Sequence, residues 1–386
     1  MDVARLRQQI PVCQRYTYVN TGWSGPSPLS VTRAIRDRLD HEMDEGPTTP
    51  GVYESGRDIQ ERARAGVAQL LNASPEEILL TENTTQGLNI VINGLPWEPG
   101  DEIITCNLEH SSVLVPAYYQ QRRHGAVVKV LDLDADEPAD SILAKVDAAL
   151  SERTRLVFFS HVQYSCGLRM PVKEIGRLAR SRGALMMLDG AQTAGQVPLD
   201  VADIGADFYS IPGQKWLLGS EGAGALYMRG ELVSQVEPIH VAGHGAVPGG
   251  DPHRFEASTG SIGKFTLSSS SAALRAGMVE SLRFIQDIGV EEIEGRNLGL
   301  AAALKSALCD MPRVRVLTPL DGAASTGLVS FVVDGVNAKD GVSQMWEKHR
   351  IVARSVAYPD SMRVSLHFFN TEDEVAQVVE AVSNLA

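Results

Sequence analysis

Short apolar runs separated by turn residues recur along much of the chain and predict buried strands. These runs are Ile78–Leu80, Asp101–Thr105, Val127–Leu131, Arg155–Phe159, Leu185–Leu188, Ala206–Ile211 and Gly224–Met228. Apolar residues at helical spacing predict helices over Val31–Glu45, Ile59–Leu71 and Ser141–Leu150, and a further helix from Thr85 onward. Because alternating strands and helices favour a parallel sheet with crossover helices, the pattern predicts an α/β fold.

The pattern changes after a Gly- and Pro-rich segment, Gly243–Pro252. Two long helices are predicted there, over Ser268–Ile288 and Glu291–Cys309. They precede predicted strands at Val314–Leu317, Leu328–Val333, Ile351–Arg354 and Met362–His367 and predicted helices at Gly341–His349 and Glu372–Leu385. We therefore predict a large lobe of residues 16–253 and a smaller α+β lobe of residues 1–15 and 254–386.

Composition narrows the class of protein. The 386 residues are 44% hydrophobic and 22% charged, as in ordinary globular enzymes. A net charge of −13 argues against nucleic acid or an anionic membrane surface as a partner. Neither a membrane-spanning apolar run nor the apolar region of a signal peptide is expected. The four cysteines have no metal-ligand spacing, so we expect no metal site and a reduced, cytoplasmic protein.

The stretch from Leu185 to Tyr227 holds the best candidates for chemistry. One predicted strand ends at Asp189, and the next leads to Lys215. In an open α/β sheet, ligands bind beyond the carboxyl ends of the strands, where both side chains are expected. Taken alone, an aspartate and a lysine are more often ordinary surface residues.

Two strings in this stretch carry a resemblance. DGAQ begins at Asp189, and IPGQKW ends at Trp216. In this order and spacing they resemble the cofactor core of the class V, fold type I enzymes that use pyridoxal 5'-phosphate. The resemblance implies a mostly parallel, seven-stranded type of sheet flanked by helices. It also implies that Lys215 attaches the cofactor and moves protons, while Asp189 holds the pyridine nitrogen protonated.

Further cofactor contacts follow from the same resemblance. His110, in the string EHSS, is expected to stack on the pyridine ring, and Gln192 to donate to its phenolic oxygen. The expected phosphate ligands are Thr84, Thr85, Ser210, Gln214 and Thr259. From the residues alone, a hydroxyl pair at a helix start is either an anion site or a plain cap. In the family, the residue matched by Thr259 reaches the cofactor of the neighbouring subunit, which implies a homodimer with active sites at the interface.

The substrate residues are also implied by the resemblance. An arginine before the last strand takes the amino-acid carboxylate, and Arg363 is the first choice, with Arg354 the second. The loop residues Asn20 and Trp23 are further candidates. Tyr164 lies near the place where many relatives have an asparagine.

Three reactions remain open within the family. Cysteine desulfurases carry a nucleophilic cysteine before the last arginine, but Val352–Met362 has none. The segment is instead similar to cyanobacterial L-cysteine/cystine C–S lyases, which implies β-elimination from cysteine, cystine or a cysteine S-conjugate. A class V aminotransferase or an epimerase of the isopenicillin N type is the alternative. Outside the family, a nucleotide-binding module is disfavoured because no G-x-G-x-x-G string opens a helix after a strand in this chain. A non-catalytic protein that retains the fold is a further alternative.

Overall fold

The computed structural model describes residues 1–249 and 251–385. The helices are α1 (Val3–Gln8), α2 (Leu29–Glu45), α3 (Pro50–Leu71), α4 (Thr84–Gly94), α5 (Ser111–His124), α6 (Ala139–Ala149), α7 (Val172–Ser181), α8 (Val201–Ile204), α9 (Ala272–Ile288), α10 (Val290–Cys309), α11 (Ala338–His349) and α12 (Glu372–Ser383). The strands are β1 (Thr17–Tyr18), β2 (Ile78–Thr81), β3 (Glu102–Cys106), β4 (Val127–Leu131), β5 (Thr154–Ser160), β6 (Leu185–Asp189), β7 (Phe208–Pro212), β8 (Gly224–Met228), β9 (Val314–Val316), β10 (Leu328–Val333), β11 (Ile351–Val352), β12 (Arg354–Ala357) and β13 (Asp360–Ser365).

Seven strands form the large sheet, in the order β2-β8-β7-β6-β5-β3-β4. All neighbouring pairs run parallel except those of β8, which is antiparallel to β2 and β7. The predicted α/β fold with a mainly parallel sheet is therefore confirmed. The central strands are apolar on both faces because helices cover both sides.

Alternate residues of each central strand enter two separate cores. Val157 and Leu188 face one core, which α3 and α7 help to form. Phe158 and Met187 face the other, which contains side chains of α4 and α5. This period of two fixes the register, so that the strands end together at one edge of the sheet.

The C-terminal part forms a four-stranded antiparallel sheet in the order β12-β13-β10-β9. Side chains of α10, α11 and α12 share its core. The predicted strand over Ile351–Arg354 is wrong as a single unit. Its first half, β11, pairs with β1, whereas β12 pairs with β13.

The lobe limits at residues 16 and 253 stay a prediction. Core packing groups some elements differently from those limits. Met278, Leu282 and Ile285 of α9 pack in the same core as the large sheet. Helix α9 lies against α2 and α3, and its start is set by Ser271, whose side chain accepts from the Leu274 N–H. Across the described residues, every helix is too short or too polar to cross a bilayer.

Candidate active site

A cavity of about 260 Å³ opens at the carboxyl edge of the large sheet. Ser160 and Asp189 end β5 and β6, and Ser210 lies two residues before the end of β7. Asp189 is the register partner of both serines. The cavity brings together ten residues singled out from the sequence: Trp23, Thr84, Thr85, His110, Tyr164, Asp189, Gln192, Gln214, Lys215 and Arg354. A larger groove of about 1090 Å³ lies elsewhere, and none of these ten residues lines it.

Asp189 is a buried carboxylate whose geometry is fixed on both oxygens. Oδ1 accepts from the Ala191 N–H at 2.8 Å, and Oδ2 accepts from the Ser112 hydroxyl at 3.2 Å. It forms no ion pair with a cation in the described part of the chain. A buried carboxylate with free lone pairs suits a protonated nitrogen of a ligand.

Lys215 lies half-buried in the cavity, on the turn that follows β7. Burial lowers its pKa to about 8 by disfavouring the charged amine. The Asp189 carboxylate opposes this shift, whereas Arg363 and Arg354 add to it. An amine with such a pKa is partly neutral near neutral pH, as a nucleophile or proton acceptor must be.

His110 caps α5, since its Nδ1 accepts from the Ser112 N–H at 3.1 Å. The Tyr164 ring meets the imidazole edge-on, with centroids 5.0 Å apart. Burial and then the Lys215 charge lower the pKa of His110. A neutral imidazole held on two sides is suited to stacking against a flat ligand.

The start of α4 presents groups that suit an anion. Asn83 caps the helix by accepting from the Gln86 N–H at 2.9 Å, so the hydroxyl of Thr84 is not used as the cap. The buried Thr84 hydroxyl has no hydrogen-bond partner among the described residues, and neither does Gln214 Oε1. The exposed Thr85 lies beside them. Free N–H groups, the helix dipole and an unsatisfied hydroxyl together suit a phosphate.

Gln192 is oriented by an indole. Trp216 Nε1 can only donate, and it lies 2.8 Å from Gln192 Oε1. The amide nitrogen of Gln192 therefore points the other way and donates to the Gly22 carbonyl at 2.9 Å. The hydrogen bond to Gly22 uses one of the two N–H groups of this amide, and the expected donation to the cofactor's phenolic oxygen stays a prediction.

Two arginines face each other across β12 and β13. Arg354 and Arg363 are register partners, and Arg354 lies over the Trp23 ring at 4.6 Å. Arg363 is fully buried and donates to the Tyr164 carbonyl at 2.7 Å. Its Nε and Nη2 atoms have no partner within residues 1–249 and 251–385. Burial and then the Arg354 charge lower the pKa of Arg363 to about 9, so the pair favours an added carboxylate.

Four predicted site residues do not line the cavity: Asn20, Ser210, Thr259 and Arg363. The Ser210 hydroxyl lies outside the cavity lining and donates to the Thr84 carbonyl at 2.9 Å. This contact corrects the expectation that Ser210 binds the cofactor phosphate. Asn20 is buried next to β13, to which it is joined by a bridge at Ser365. Thr259 is exposed, and its predicted reach into a neighbouring subunit stays a prediction.

Ser112 and Glu109 are two residues at the site that the sequence motifs do not predict. Ser112 joins His110 to Asp189, and its signal was present in the last letter of EHSS. Glu109 is buried and accepts from the Ser160 N–H and from Gln163 Nε2, both at 2.7 Å. Burial raises the pKa of Glu109 to about 7, although these hydrogen bonds oppose the shift. A charged residue gives no sequence sign that it will be buried.

Comparisons with known proteins cover most or all of the chain. The family model described as aminotransferase class-V matches residues 26–378. A protein named probable cysteine desulfurase from Methanothermobacter thermautotrophicus is 30% identical over 412 residues, covering 100% of this chain and 98% of the relative. Isopenicillin N epimerase from Streptomyces clavuligerus is 29% identical, covering 95% of this chain and 94% of the relative.

Two solved structures are also similar to this chain. A complex of the cystine C–S lyase C-DES with its reaction product, cysteine persulfide, has a TM-score of 0.91 at 27% identity. It covers 97% of this chain and 99% of C-DES. A second C-DES structure, a mutant, carries glycine covalently linked to its pyridoxal phosphate cofactor, also with a TM-score of 0.91.

Proposed function

Because this chain belongs to the aminotransferase class-V family of pyridoxal-phosphate enzymes, we propose that it is a carbon–sulfur lyase. Its fold is that of the fold type I enzymes, and it is related to cysteine desulfurases and to the cystine C–S lyase C-DES. The proposed reaction is β-elimination from cysteine, cystine or a cysteine S-conjugate. The products are pyruvate, ammonia and the released sulfur compound.

The cavity fits this cofactor. The unpartnered Thr84 hydroxyl and the α4 start match a phosphate, and Asp189 matches a protonated ring nitrogen. When bound, pyridoxal phosphate supplies an aldehyde for covalent attachment and draws electrons from the amino acid's Cα. Lys215 would hold it through its amine, and His110 and Gln192, which also line the cavity, would contact its ring.

In the proposed reaction, Lys215 removes the proton from the substrate's Cα. Its pKa of about 8 leaves a useful neutral fraction near neutral pH. Asp189 stays fixed by the Ala191 N–H and Ser112, so it can hold a proton on a facing nitrogen throughout. Arg354 lines the cavity, and Arg363, its buried register partner, has two nitrogens without a partner among the described residues. Both are assigned to the substrate carboxylate, which would fix the Cα bond that faces the lysine.

The balance of the reaction needs no oxidant or enzyme thiol. The Cβ–S bond breaks, and sulfur leaves with the bonding electron pair and takes up a proton. One water is consumed, and the nitrogen leaves as ammonia from the three-carbon product. A desulfurase would instead transfer sulfur to a cysteine of the enzyme.

The observation that carries the choice of lyase is the position of the cysteines. Val352–Met362, where a desulfurase carries its nucleophile, contains none. Cys166 lies two residues from Tyr164, but it is buried, and burial raises its pKa to about 12. A thiol in that state is a poor nucleophile. These facts support elimination over persulfide formation.

A second candidate is an amino-acid epimerase. It is favoured by the full-length similarity to isopenicillin N epimerase. That reaction also starts with loss of the Cα proton, but it breaks no bond to sulfur.

The test supplies cystine, cysteine and thioether conjugates in turn to the purified holoenzyme. We expect pyruvate and a sulfur product in about equal amounts, and expect Lys215→Ala to lose at least about a thousand-fold in rate. Inverted substrate without pyruvate would assign the epimerase. Keto-acid formation only with an added amino acceptor would assign an aminotransferase, and either outcome would overturn the lyase proposal.

We further propose that the chain works as a cytoplasmic homodimer. Support comes from apolar side chains that are exposed in the single chain, including Phe255 at 76% and Met43 at 74%. Phe255 lies four positions before Thr259, the residue expected to reach the partner's cofactor.

A further inference from the structure

Beside the cavity, a closed ring of buried hydrogen bonds joins the two lobes. Trp216 Nε1 donates to Gln192 Oε1 at 2.8 Å, and the Gln192 carbonyl accepts from Gln196 Nε2 at 2.6 Å. Asn297 Nδ2 lies 3.5 Å from Gln196 Oε1 and 3.2 Å from His367 Nδ1. His367 Nε2 closes the ring at 2.9 Å from the Trp216 carbonyl oxygen. We call these five residues the interlobe ring.

The donors and acceptors of the interlobe ring fix the tautomer of His367 and the orientation of the Asn297 amide. The Trp216 carbonyl can only accept, so His367 carries its proton on Nε2. His367 Nδ1 is then an acceptor, which orients the Asn297 amide with its nitrogen toward the imidazole. Burial lowers the pKa of His367 to about 3, so this neutral tautomer persists over the working range of pH.

The ring spans elements far apart in the chain. Gln192 and Gln196 follow β6, and Trp216 follows β7, all in the large lobe. Asn297 lies on α10, and His367 comes two residues after β13, next to the core of the small sheet. The His367 imidazole also packs edge-on against the Trp216 indole, with centroids 5.3 Å apart. Trp216 is thus held by the small lobe through both its carbonyl and its ring.

The turn around Lys215 needs such support. Leu218 has a φ of 60°, a left-handed conformation that is unfavourable for a branched side chain. Gly195 packs so closely that a Cβ there would lie 2.5 Å from the Trp216 carbonyl oxygen. The carbonyl is therefore enclosed between backbone and imidazole, and losing the His367 N–H would leave it unsatisfied.

We propose that His367, oriented by Asn297, is a positioning residue that fixes the Lys215 turn and Gln192 from the small lobe. Lys215 precedes Trp216 directly, and Gln192 is bonded to its indole. The orientations of the Lys215 and Gln192 side chains thus depend on how the small lobe packs against Trp216. This inference rests on the proposed role of Lys215 as the residue that holds the cofactor.

The test measures the bound cofactor rather than turnover. His367→Phe keeps an aromatic ring in the cluster but removes both hydrogen bonds. We expect cofactor affinity to fall roughly ten-fold and the pH midpoint of the visible absorption of the bound cofactor to move by at least about half a unit. Asn297→Leu should change both quantities in the same direction. His367→Gln, which can still donate to the Trp216 carbonyl, should restore most of the affinity.

Phe369→Leu is the matched control, because Phe369 packs against the same imidazole at 5.7 Å without a side-chain hydrogen bond. It should lower the melting temperature without changing the cofactor's affinity or its pH midpoint. If His367→Phe does the same as this control, the role of His367 is only structural and the proposal is overturned. Since neither readout uses a sulfur substrate, a failed lyase assay leaves this test unaffected.

Discussion

At the scale of single residues, the cavity lowers the pKa of a lysine mainly by burying it, while nearby charges act in both directions. Burial lowers the pKa of Lys215 to about 8, and the Arg354 charge contributes to that direction. Removing the arginine charge should therefore raise the pKa of the lysine.

We expect the rate at which pyridoxal phosphate attaches to the apo protein to rise with pH through a midpoint near 8. Arg354→Gln should move this midpoint upward, whereas Arg350→Gln, an exposed change elsewhere, should leave it in place. Stopped-flow absorbance over a pH series measures both. A wild-type midpoint above about 10, the value of an ordinary lysine, would contradict the tuning.

Glu109 predicts a pH effect on stability. Its pKa is about 7 in the folded protein against 4.5 for an ordinary glutamate. Between these values the folded state retains a proton that the unfolded chain has released. The free energy of unfolding should therefore fall as pH rises through this window and level off above it, by at most about 3 kcal/mol.

Glu109→Gln should remove this slope, which urea unfolding at successive pH values will show as the difference from wild type. Glu137→Gln is the control with the opposite sign. Burial opposes ionisation of Glu137, but hydrogen bonds led by Lys145 outweigh it and lower the pKa, so its contribution is lost as pH falls. An unchanged slope in Glu109→Gln would show that the carboxyl titrates normally.

At the scale of elements, the start of α4 assigns capping and phosphate binding to different residues. Asn83 caps the helix, and the Thr84 hydroxyl is left for the proposed phosphate. Thr84→Val removes only the hydroxyl, while Asn83 still caps the helix. We expect affinity for pyridoxal phosphate to fall about five- to ten-fold and affinity for pyridoxal, which lacks the phosphate, to stay constant. Fluorescence titration with both compounds measures this difference.

Thr105→Val is the matched control, since Thr105 in β3 is also buried and its hydroxyl has no partner among the described residues, but it lies outside the cavity. It should change neither affinity. Equal losses for pyridoxal and its phosphate in Thr84→Val would place the phosphate elsewhere.

Sequence patterns predicted elements whose signal is local. Lys215, Asp189 and His110 are predictable because each stands in a short string that follows a predicted strand and resembles a motif of the family. The amphipathic helix α7 was overlooked although Val172, Ile175 and Ala179 repeat at helical spacing. Helix α5 was missed because Pro116 interrupts its pattern.

Other features depend on contacts that no local pattern encodes. Ser210 has the residue type of a phosphate ligand, but its hydroxyl is taken by the Thr84 carbonyl, 126 positions away. The split of Ile351–Arg354 into β11 and β12 follows from pairing with β1 and β13. The contact of His367 with the Trp216 carbonyl joins residues 151 positions apart in the chain.

At the scale of the whole molecule, the chain ends are tied together on the small lobe. Arg7 of α1 donates to the Phe369 carbonyl at 2.6 Å and pairs with Glu374 of α12 at 2.9 Å. Strand β1, just beyond, pairs with β11. The loop after β1 places Trp23 in the cavity lining, where it lies beside Arg354 of β12. The pairing of β1 with β11 therefore helps to position the proposed substrate side of the cavity.

The proposed dimer predicts that two defective variants can restore one another. Lys215→Ala lacks the attachment residue, and Thr259→Val lacks the hydroxyl expected to serve the partner's cofactor. In a mixed dimer, one site combines both defects and the other combines the intact Lys215 with the intact Thr259. Random mixing of the two variants makes about half of the dimers mixed, and each mixed dimer has one intact site of two. About one quarter of the wild-type number of high-affinity cofactor sites per chain should therefore be recovered.

Co-expression with two affinity tags isolates the mixed dimer, in which one high-affinity site per two chains is expected. Mixing Lys215→Ala with Thr266→Val, a change at a nearby half-buried threonine, controls for damage to the segment. If Thr259 served the cofactor of its own chain, the intact Lys215 and the mutated Thr259 would share one site, and mixing would recover nothing. A single-chain molecular mass in solution would contradict the dimer itself, and then the exposed Phe255 and Met43 would need another partner.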